Sequence, residues 1–458
     1  MKVNPKMTFA VVNFVLIFTC NCFYAQNDTR HFKTEIDFGN GIVISTFLDV
    51  SLSGNQFEIT SPKNADTRIM GGKAKLGRLM GKSPKKGIIV TIRGSVQTDS
   101  LFGNTKIPMF GKLKFKGLVN NQKLSGTFQN DAGTTVGSLN GVKSAEEKIV
   151  YDGLYSKMMT IIQDNIYSKE VLNTAAWAKF NKKIEKLCDE AHDDIELFLG
   201  FNILAQKLPF SHLTLAIAQS VVEEEEEAPS ATKSVVFEQK NTSTAYLQIK
   251  NFSNSSTELA EILPQIVNNT AYKNLIIDLR NNGGGGINAA FELAKYITAE
   301  DLEVGYFPTN KLVYSGYQPE LFETLQELQP KSTEEFGNEL KKSSGVKLIF
   351  KKPINPVFSG NIYVLTNNRT ASTCEPIVYA LKARKKAVII GEKTAGAMLS
   401  ASPFVASGKF MLMIPIADFY TNDGVRLDKT GVTPDVLVKS DDAVNKALEI
   451  INTDSNIK

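Results

Sequence analysis

Hydrophobic and polar positions change their rhythm twice along this chain. Over residues 26–143 apolar residues come in short β-branched and aromatic runs, at 41–52, 87–96, 112–119 and 123–128, punctuated by Gly and Asn. That pattern predicts strands joined by tight turns, hence a small β-sandwich or barrel. Over 144–220 the apolar spacing becomes three and four residues, predicting helices at 151–167, 171–191 and 193–208. Residues 221–233 contain five consecutive glutamates, Glu223–Glu227, followed by Ala-Pro-Ser. Such a block repels itself and reads as a solvated linker. Contiguous glutamates lack the alternating spacing of a calcium loop.

From 234 to 440 strand-like and helix-like stretches take turns. Strands are predicted at 244–249, 274–279, 361–366 and 387–390, and helices at 256–268, 286–298 and 372–384. Strand–helix–strand order implies a mostly parallel sheet with crossover helices, a fold whose ligands sit beyond the carboxyl ends of the strands. Residues 441–458 read as a C-terminal helix and tail.

Composition narrows the function classes. A chain of 458 residues with 42% hydrophobic and 22% charged residues has material for more than one domain. Its net charge of +4 points to no particular partner. Lys2 and Lys6 precede an apolar run over 9–18, and Ala25 offers a small residue for cleavage, so residues 1–25 read as a secretory signal peptide. The run is short for a membrane span, and no integral membrane segment is expected after cleavage. The alternative, a lipid anchor on Cys20 or Cys22, has unfavourable residues before each cysteine. The expectation is export to the periplasm or beyond the cell. Export argues against a nucleic-acid partner, and the basic stretch 63–86 reads as a solvated loop. Cleavage leaves Cys188 and Cys374, read as buried thiols. The three histidines, His31, His192 and His212, show no metal-ligand spacing, so neither metal nor cofactor is expected.

Two segments carry candidate chemistry. Leu275–Asp278 is an apolar strand that runs through Leu279, Arg280, Asn281 and Asn282 into Gly283–Gly286. Glycine permits the positive φ angles of a sharp turn, and the helix that follows adds a positive partial charge. Backbone N–H groups there can face an oxyanion. The second segment, Thr370-Ala371-Ser372-Thr373-Cys374-Glu375, puts a serine where a helix opens. Taken alone, a serine in that place is a helix cap; next to an oxyanion-binding turn it is a candidate nucleophile. A nucleophilic serine needs a base, and Ser211-His212 follows the helical region. His212 is either that base or a structural histidine. His192 reads as a mid-helix residue on a solvated face.

These residues resemble one family. Asp-Leu-Arg-x-Asn-x-Gly-Gly from Asp278, Thr-Ala-Ser-x-x-Glu from Thr370, Gly-Glu-x-Thr-x-Gly from Gly391 and Gly-Val-x-Pro-Asp from Gly431 are similar, in order, to the C-terminal-processing (tail-specific) serine proteases and their tricorn-like relatives. The resemblance covers roughly 234–438. It implies an α/β crotonase-like (ClpP/crotonase) core, here preceded by a helical segment and an N-terminal all-β domain. It also implies a polypeptide substrate, Ser372 as nucleophile, and an oxyanion and substrate site at Gly283, Gly284 and Thr373. The processing proteases pair their serine with a lysine directly after the Thr-x-Gly block, a position held here by Ala397. Lys393 is off the motif. The tricorn-like branch uses histidine, a neighbouring serine and a glutamate instead. Ser211 and His212 match that pair, and Asp428 stands at the glutamate position as the orienting group. About thirty residues separate His212 from the strand at 244, too few for the PDZ module many relatives carry. The implied function is an exported serine endopeptidase. The alternative is an inactive relative that binds peptides or apolar ligands.

Overall fold

The computed structural model describes residues 28–38, 43–61, 90–98, 100–107, 111–145, 148–217, 233–253 and 255–455. The signal-peptide, basic-stretch and glutamate-linker expectations fall largely or wholly outside these residues.

The N-terminal strands close on themselves. β1 (Asp28–Asp37), β2 (Val43–Ser53), β3 (Gln56–Thr60), β4 (Thr91–Gln97), β5 (Ser100–Ile107), β6 (Gly111–Val119), β7 (Lys123–Gln129) and β8 (Thr135–Lys143) pair antiparallel in sequence order, and β8 returns to β1. The architecture is therefore a barrel and not a sandwich, and closure removes both free edges. Inward positions alternate with outward ones. Phe32, Phe57, Phe115, Phe128 and aliphatic neighbours fill the lumen. Gly117 and Gly126 face each other across β6 and β7 because the ring of Phe115 lies against both; a Cβ at either would meet it at 2.5 and 2.4 Å. The barrel is a packed hub.

Three helices follow: α1 (Leu154–Asn165), α2 (Ala175–Glu190) and α3 (Asp194–Ala205). The single helix expected at 171–191 is split by a 3-10 turn at Lys169–Asn173 and a new start capped by Thr174. His192 lies in the break between α2 and α3, not within a helix, and its N–H donates to Glu196. α3 is apolar all round, as a helix buried on every side must be. Ile195, Phe198 and Leu199 pack into the barrel core, while Leu197, Phe201 and Leu204 join the core of the rest of the chain. Its N-terminus is tied to β2: Thr46 donates to Asp193 at 2.6 Å, and the Ser45 N–H donates to Asp194 at 3.0 Å. Asp194 is buried and also receives Tyr151 and Lys409. These contacts satisfy two carboxylates that could not otherwise be buried at tolerable cost.

The remaining chain is α/β. A six-stranded sheet has the order β10 (Val235–Asn241), β11 (Thr244–Ile249), β12 (Asn274–Asp278), β16 (Asn361–Thr366), β17 (Val388–Gly391), β20 (Val436–Leu437). Only the β10–β11 pair is antiparallel. α4 (Ser256–Asn268), α5 (Ile287–Ile297) and α8 (Cys374–Ala383) cover one face, and α9 (Ala443–Ser455) covers the other. Two three-stranded sheets were not anticipated by the sequence pattern. One has the order β13 (Leu302–Pro308), β15 (Gly345–Phe350), β14 (Gln326–Leu328), with the short α6 (Pro319–Phe322) and α7 (Thr333–Lys342) between its strands in sequence. The other joins β18 (Ser400–Val405) and β19 (Phe410–Ala417) to β9 (Thr214–Ile217), the strand directly after Ser211-His212. β12 and β16 run parallel and end side by side, Asp278 opposite Leu365, so the glycine turn and the Ser372 segment leave the sheet together. No described helix is long and apolar enough to cross a membrane.

Candidate active site

Ser372 is not the first residue of its helix. It precedes α8 in a tight turn with φ of 55°, a conformation disfavoured for a residue with a Cβ. The turn is fixed from behind. The Ser372 N–H donates to Ala397 O and to Glu375 Oε2, both at 3.1 Å. Glu375 is wholly buried, and its other donors are Thr394 Oγ1 at 2.6 Å, Gly396 N at 2.8 Å and Ala397 N at 2.8 Å. Burial pushes this carboxyl up while the four donors pull it down. The Thr-x-Gly block is thus wrapped around one carboxylate. Sequence reasoning gave Glu375 no role. Its signal was the Ser-x-x-Glu spacing, in which the acid reaches back to the N–H of the residue three before it.

The glycine turn is stapled to the same segment. Buried Asn282 donates through Nδ2 to Ile249 O, and its carbonyl accepts the Ala371 N–H at 3.0 Å. Thr373 donates its hydroxyl to Gly285 O at 2.7 Å. Gly284 has φ of 95°, and a Cβ on it would lie 2.7 Å from Ser372 Cβ and 3.0 Å from Thr373 N. Only glycine lets the turn come this close. One expectation needs correction here: the Gly284 N–H, expected to face an oxyanion, donates to Asn282 Oδ1 at 2.9 Å. The N–H groups of Gly283, Gly285 and Thr373 have no hydrogen-bond partner among the described residues.

His212 reaches the same spot from the opposite side. The chain leaving α3 packs through Phe210, edge-on to Tyr167, and turns at His212 with φ of 64°. Nε2 lies 3.3 Å from Ser372 Oγ, and Nδ1 lies 2.7 Å from Ser211 Oγ. If Nε2 accepts the serine proton, Nδ1 carries the hydrogen and Ser211 Oγ accepts it. Asp428 does not bond the imidazole. Its carboxylate accepts the N–H groups of Ser211 at 3.3 Å and Met398 at 3.2 Å and sits 3.6 Å from Arg426, which is itself held by Asp418. Aspartate, one methylene shorter than glutamate, stops at the backbone of the serine–histidine pair. Cys374 is buried, and burial raises the pKa of its thiol, which makes it a poor nucleophile.

Burial lowers the pKa of His212; Asp428 works against that shift and Lys429 adds to it. Burial thereby favours the neutral imidazole, the form a general base would need. The acid limb of kcat/KM is expected below the ordinary histidine value of about 6.5. Asp428→Asn should move it lower still, because it removes the charge that favours imidazolium. Stability follows the same sign. The unfolded chain takes up the proton first, so the stability present above the unfolded pKa is lost as pH falls through it. A pH–rate profile of both proteins, with urea melts at each pH, checks this; a limb at or above the ordinary value in wild type contradicts it.

A cavity of about 200 Å³ opens beside Ser372 and His212. Its wall is apolar, formed chiefly by Ile287, Phe307, Phe336, Phe350, Ile377 and Met398, with Gly285 and Thr373 at the serine end. No cluster of His, Cys, Asp and Glu suited to a metal occurs among the described residues.

Comparison with known proteins adds the following. Residues 243–438 match the family model described as Peptidase family S41. The chain is 25% identical over 193 residues to a protein described as a chloroplastic C-terminal processing peptidase from Tetradesmus obliquus, covering 42% of this chain and 34% of that one. It is 25% identical over 202 residues to a carboxyl-terminal-processing protease of Picosynechococcus sp., covering 44% and 40%. The matched part thus spans well under half the length of these relatives. Among solved structures, a lipoprotein from Streptococcus agalactiae aligns with a TM-score of 0.46 and 14% identity, over 68% of this chain and 99% of that one. Ser372 and the glycine turn lie inside the matched segment; Ser211, His212 and the barrel lie before it.

Proposed function

Because residues 243–438 belong to the C-terminal-processing peptidase superfamily, we propose that this chain is a serine peptidase working through Ser372 and His212. The observation that carries the reading is the 3.3 Å approach of His212 Nε2 to Ser372 Oγ at the mouth of an apolar cavity, with alanine at the position where the processing proteases hold lysine. The parallel β11-β12-β16-β17-β20 order with crossover helices supports a crotonase-like core.

In the proposed mechanism His212 Nε2 takes the Ser372 proton as Oγ attacks the peptide carbonyl. Ser211 Oγ accepts from Nδ1–H and fixes the tautomer, which makes it a positioning residue. Asp428 acts one step further out: it holds the Ser211 backbone and lends charge to the imidazolium that forms. The carbonyl oxygen, now negative, is bound by the Thr373 N–H and by the glycine turn. Within that turn Gly285, unengaged and lining the cavity, is the donor at hand, and Gly284 would contribute only by releasing Asn282. Loss of one such donor typically costs about 10²–10³ in rate. Imidazolium returns the proton to the leaving amine, and water repeats the sequence on the acyl-enzyme. The cavity takes one large apolar side chain of the substrate next to the cut bond. Export through residues 1–25 would put the enzyme in the periplasm or outside the cell.

The test separates the two possible bases. His212→Ala is expected to lower kcat on an unfolded protein substrate by about 10⁴-fold or more. Lys393→Met, a change at an exposed side chain, should leave it within about twofold, since surface substitutions away from a site rarely matter. Activity that survives His212→Ala but not Lys393→Met would restore the serine–lysine reading. A wild-type protein that neither cleaves peptides nor reacts with a fluorophosphonate would favour the binding-protein reading.

A further inference from the structure

The loop that carries Asp428 holds a second charged group beside it. β19 ends at Ala417, and the chain then makes an excursion over 418–428. A bridge between Tyr420 and Arg426 closes it, as does the Thr421 N–H, which donates to Val425 O at 3.0 Å. Closure brings Arg426 between two buried carboxylates. Its Nε donates to both oxygens of Asp418 at 2.9 Å, whereas its Nη2 stands 3.6 Å from Asp428 Oδ2. The first is a hydrogen-bonded pair; the second is beyond hydrogen-bond distance.

The side chain of Asp428 is wholly buried, and Arg426 is the only cation it pairs with among the described residues. One guanidinium thus serves two buried acids. Charge left unmatched inside a protein acts on the nearest ionisable group. Here that group is His212, because Asp428 accepts the N–H of Ser211, its immediate neighbour. A second contact leads the same way. The guanidinium lies over the Tyr167 ring, 5.9 Å from its centroid, and donates to the Tyr167 hydroxyl at 3.4 Å. That ring packs edge-on against Phe210, next to Ser211.

We propose, resting on His212 as the base of Ser372, that Arg426 is a positioning residue with Asp418 as its anchor. By dividing itself between the two acids it sets how much of the Asp428 charge reaches the imidazole. Among the described residues Arg426 makes no hydrogen bond or ion pair with Ser372 or His212, so it acts through Asp428.

The other charged groups around the imidazole fit this picture. Asp428 favours the charged ring, and Lys429 opposes it. Asp418 and Arg426 stand behind Asp428. Glu375 lies behind Ser372, engaged by its four donors. Tyr167 follows α1, and burial raises the pKa of its hydroxyl, which keeps it neutral. Removing Arg426 leaves the Asp428 charge unshared, so His212 should hold its proton more tightly. Removing the Asp418 charge frees Arg426 for Asp428, so His212 should hold its proton less tightly.

The full chain has three histidines, so NMR titration of ¹³C-labelled histidine rings is a simple spectrum, and His212→Ala identifies the signal. Arg426→Gln is expected to strengthen proton binding at His212 about five- to tenfold, and Asp418→Asn to weaken it about threefold. Arg426→Lys, which keeps the charge, should lie closer to wild type than Arg426→Gln. In an Asp428→Asn background Arg426→Gln should move the midpoint less than about half as far, since the coupling runs through the missing charge. A merely structural arginine would change the melting temperature and leave these titrations in place. Melting curves show which variants are folded; should Arg426→Gln not fold, Asp418→Asn decides alone. The proposal is overturned if the His212 titration of a folded variant at Arg426→Gln or Asp418→Asn coincides with wild type or moves the opposite way. It is overturned equally if Arg426→Gln acts as strongly without Asp428 as with it. The titration needs no turnover. A wild type that titrates as expected but cleaves nothing refutes the peptidase alone, and a peptidase whose His212 ignores Arg426 refutes the role of Arg426 alone.

Discussion

Ser372→Ala is expected to lower turnover by about 10⁴–10⁶-fold while leaving the fold as stable as before. The two halves of this expectation have separate causes. Turnover is lost because no other nucleophile is in place: Cys374 is buried within its helix, and its sulfur lies 3.6 Å from Asn282 O. Stability is kept because the only hydrogen bond Oγ makes among the described residues is the 3.3 Å contact with His212, and removing one such bond typically costs about 1 kcal/mol or less. The backbone strain at φ of 55° is the same for alanine as for serine. Ser372→Gly should be equally inactive yet more stable than Ser372→Ala, by about 1 kcal/mol, because glycine adopts this φ freely. Peptide hydrolysis and urea melts on the three proteins test the pair of claims. An alanine variant that keeps a tenth of wild-type turnover would remove Ser372 from the mechanism.

Glu375→Gln should be far more damaging than its near-identical shape suggests. The carboxylate accepts four hydrogen bonds, two on each oxygen. An amide can accept on its oxygen only, so its NH₂ would face the Ala397 N–H in one orientation and the Gly396 N–H in the other. At least one buried backbone donor loses its partner, at about 1–3 kcal/mol, so a loss of about 2 kcal/mol or more is expected. Activity should fall by at least about 10², because the same bonds hold the Ser372 and Ala397 backbones in the positions that aim Oγ at His212. Chemical denaturation and steady-state kinetics measure both. A variant within about 1 kcal/mol and tenfold of wild type would mean that the 394–397 turn is held by something other than this carboxylate.

What was legible in the sequence depended on range. Local rhythm marked four of the eight barrel strands, the helical stretch after them and the alternation of the α/β part, because each reports only which face of an element is buried. Ser372, the glycine turn and His212 could be singled out because they sit in ordered blocks. What the pattern could not convey was who satisfies whom. Asn282 looks like an ordinary polar turn residue, yet it takes up the Gly284 N–H. Asp428 stands at the position of an orienting carboxylate, yet its length leaves it on the Ser211 backbone. The choice between barrel and sandwich was likewise closed to local reading, since it turns on the return of β8 to β1, more than a hundred residues apart. β13, β14 and β15 were missed because their pairing is with each other and not with the parallel sheet.

α3 has one end pinned to the barrel through Asp193 and Asp194, and the other leads within a few residues to Ser211-His212. Ser372 and His212 stand 160 residues apart in sequence and arrive from separately anchored pieces of chain. If the chain works as proposed, its activity is therefore a measure of assembly. A fragment holding only residues 243–438 would own a serine with nothing to deprotonate it. A disturbance at Thr46 or Ser45, on the far side of the barrel contact, would be felt at the scissile bond as a histidine slightly out of reach.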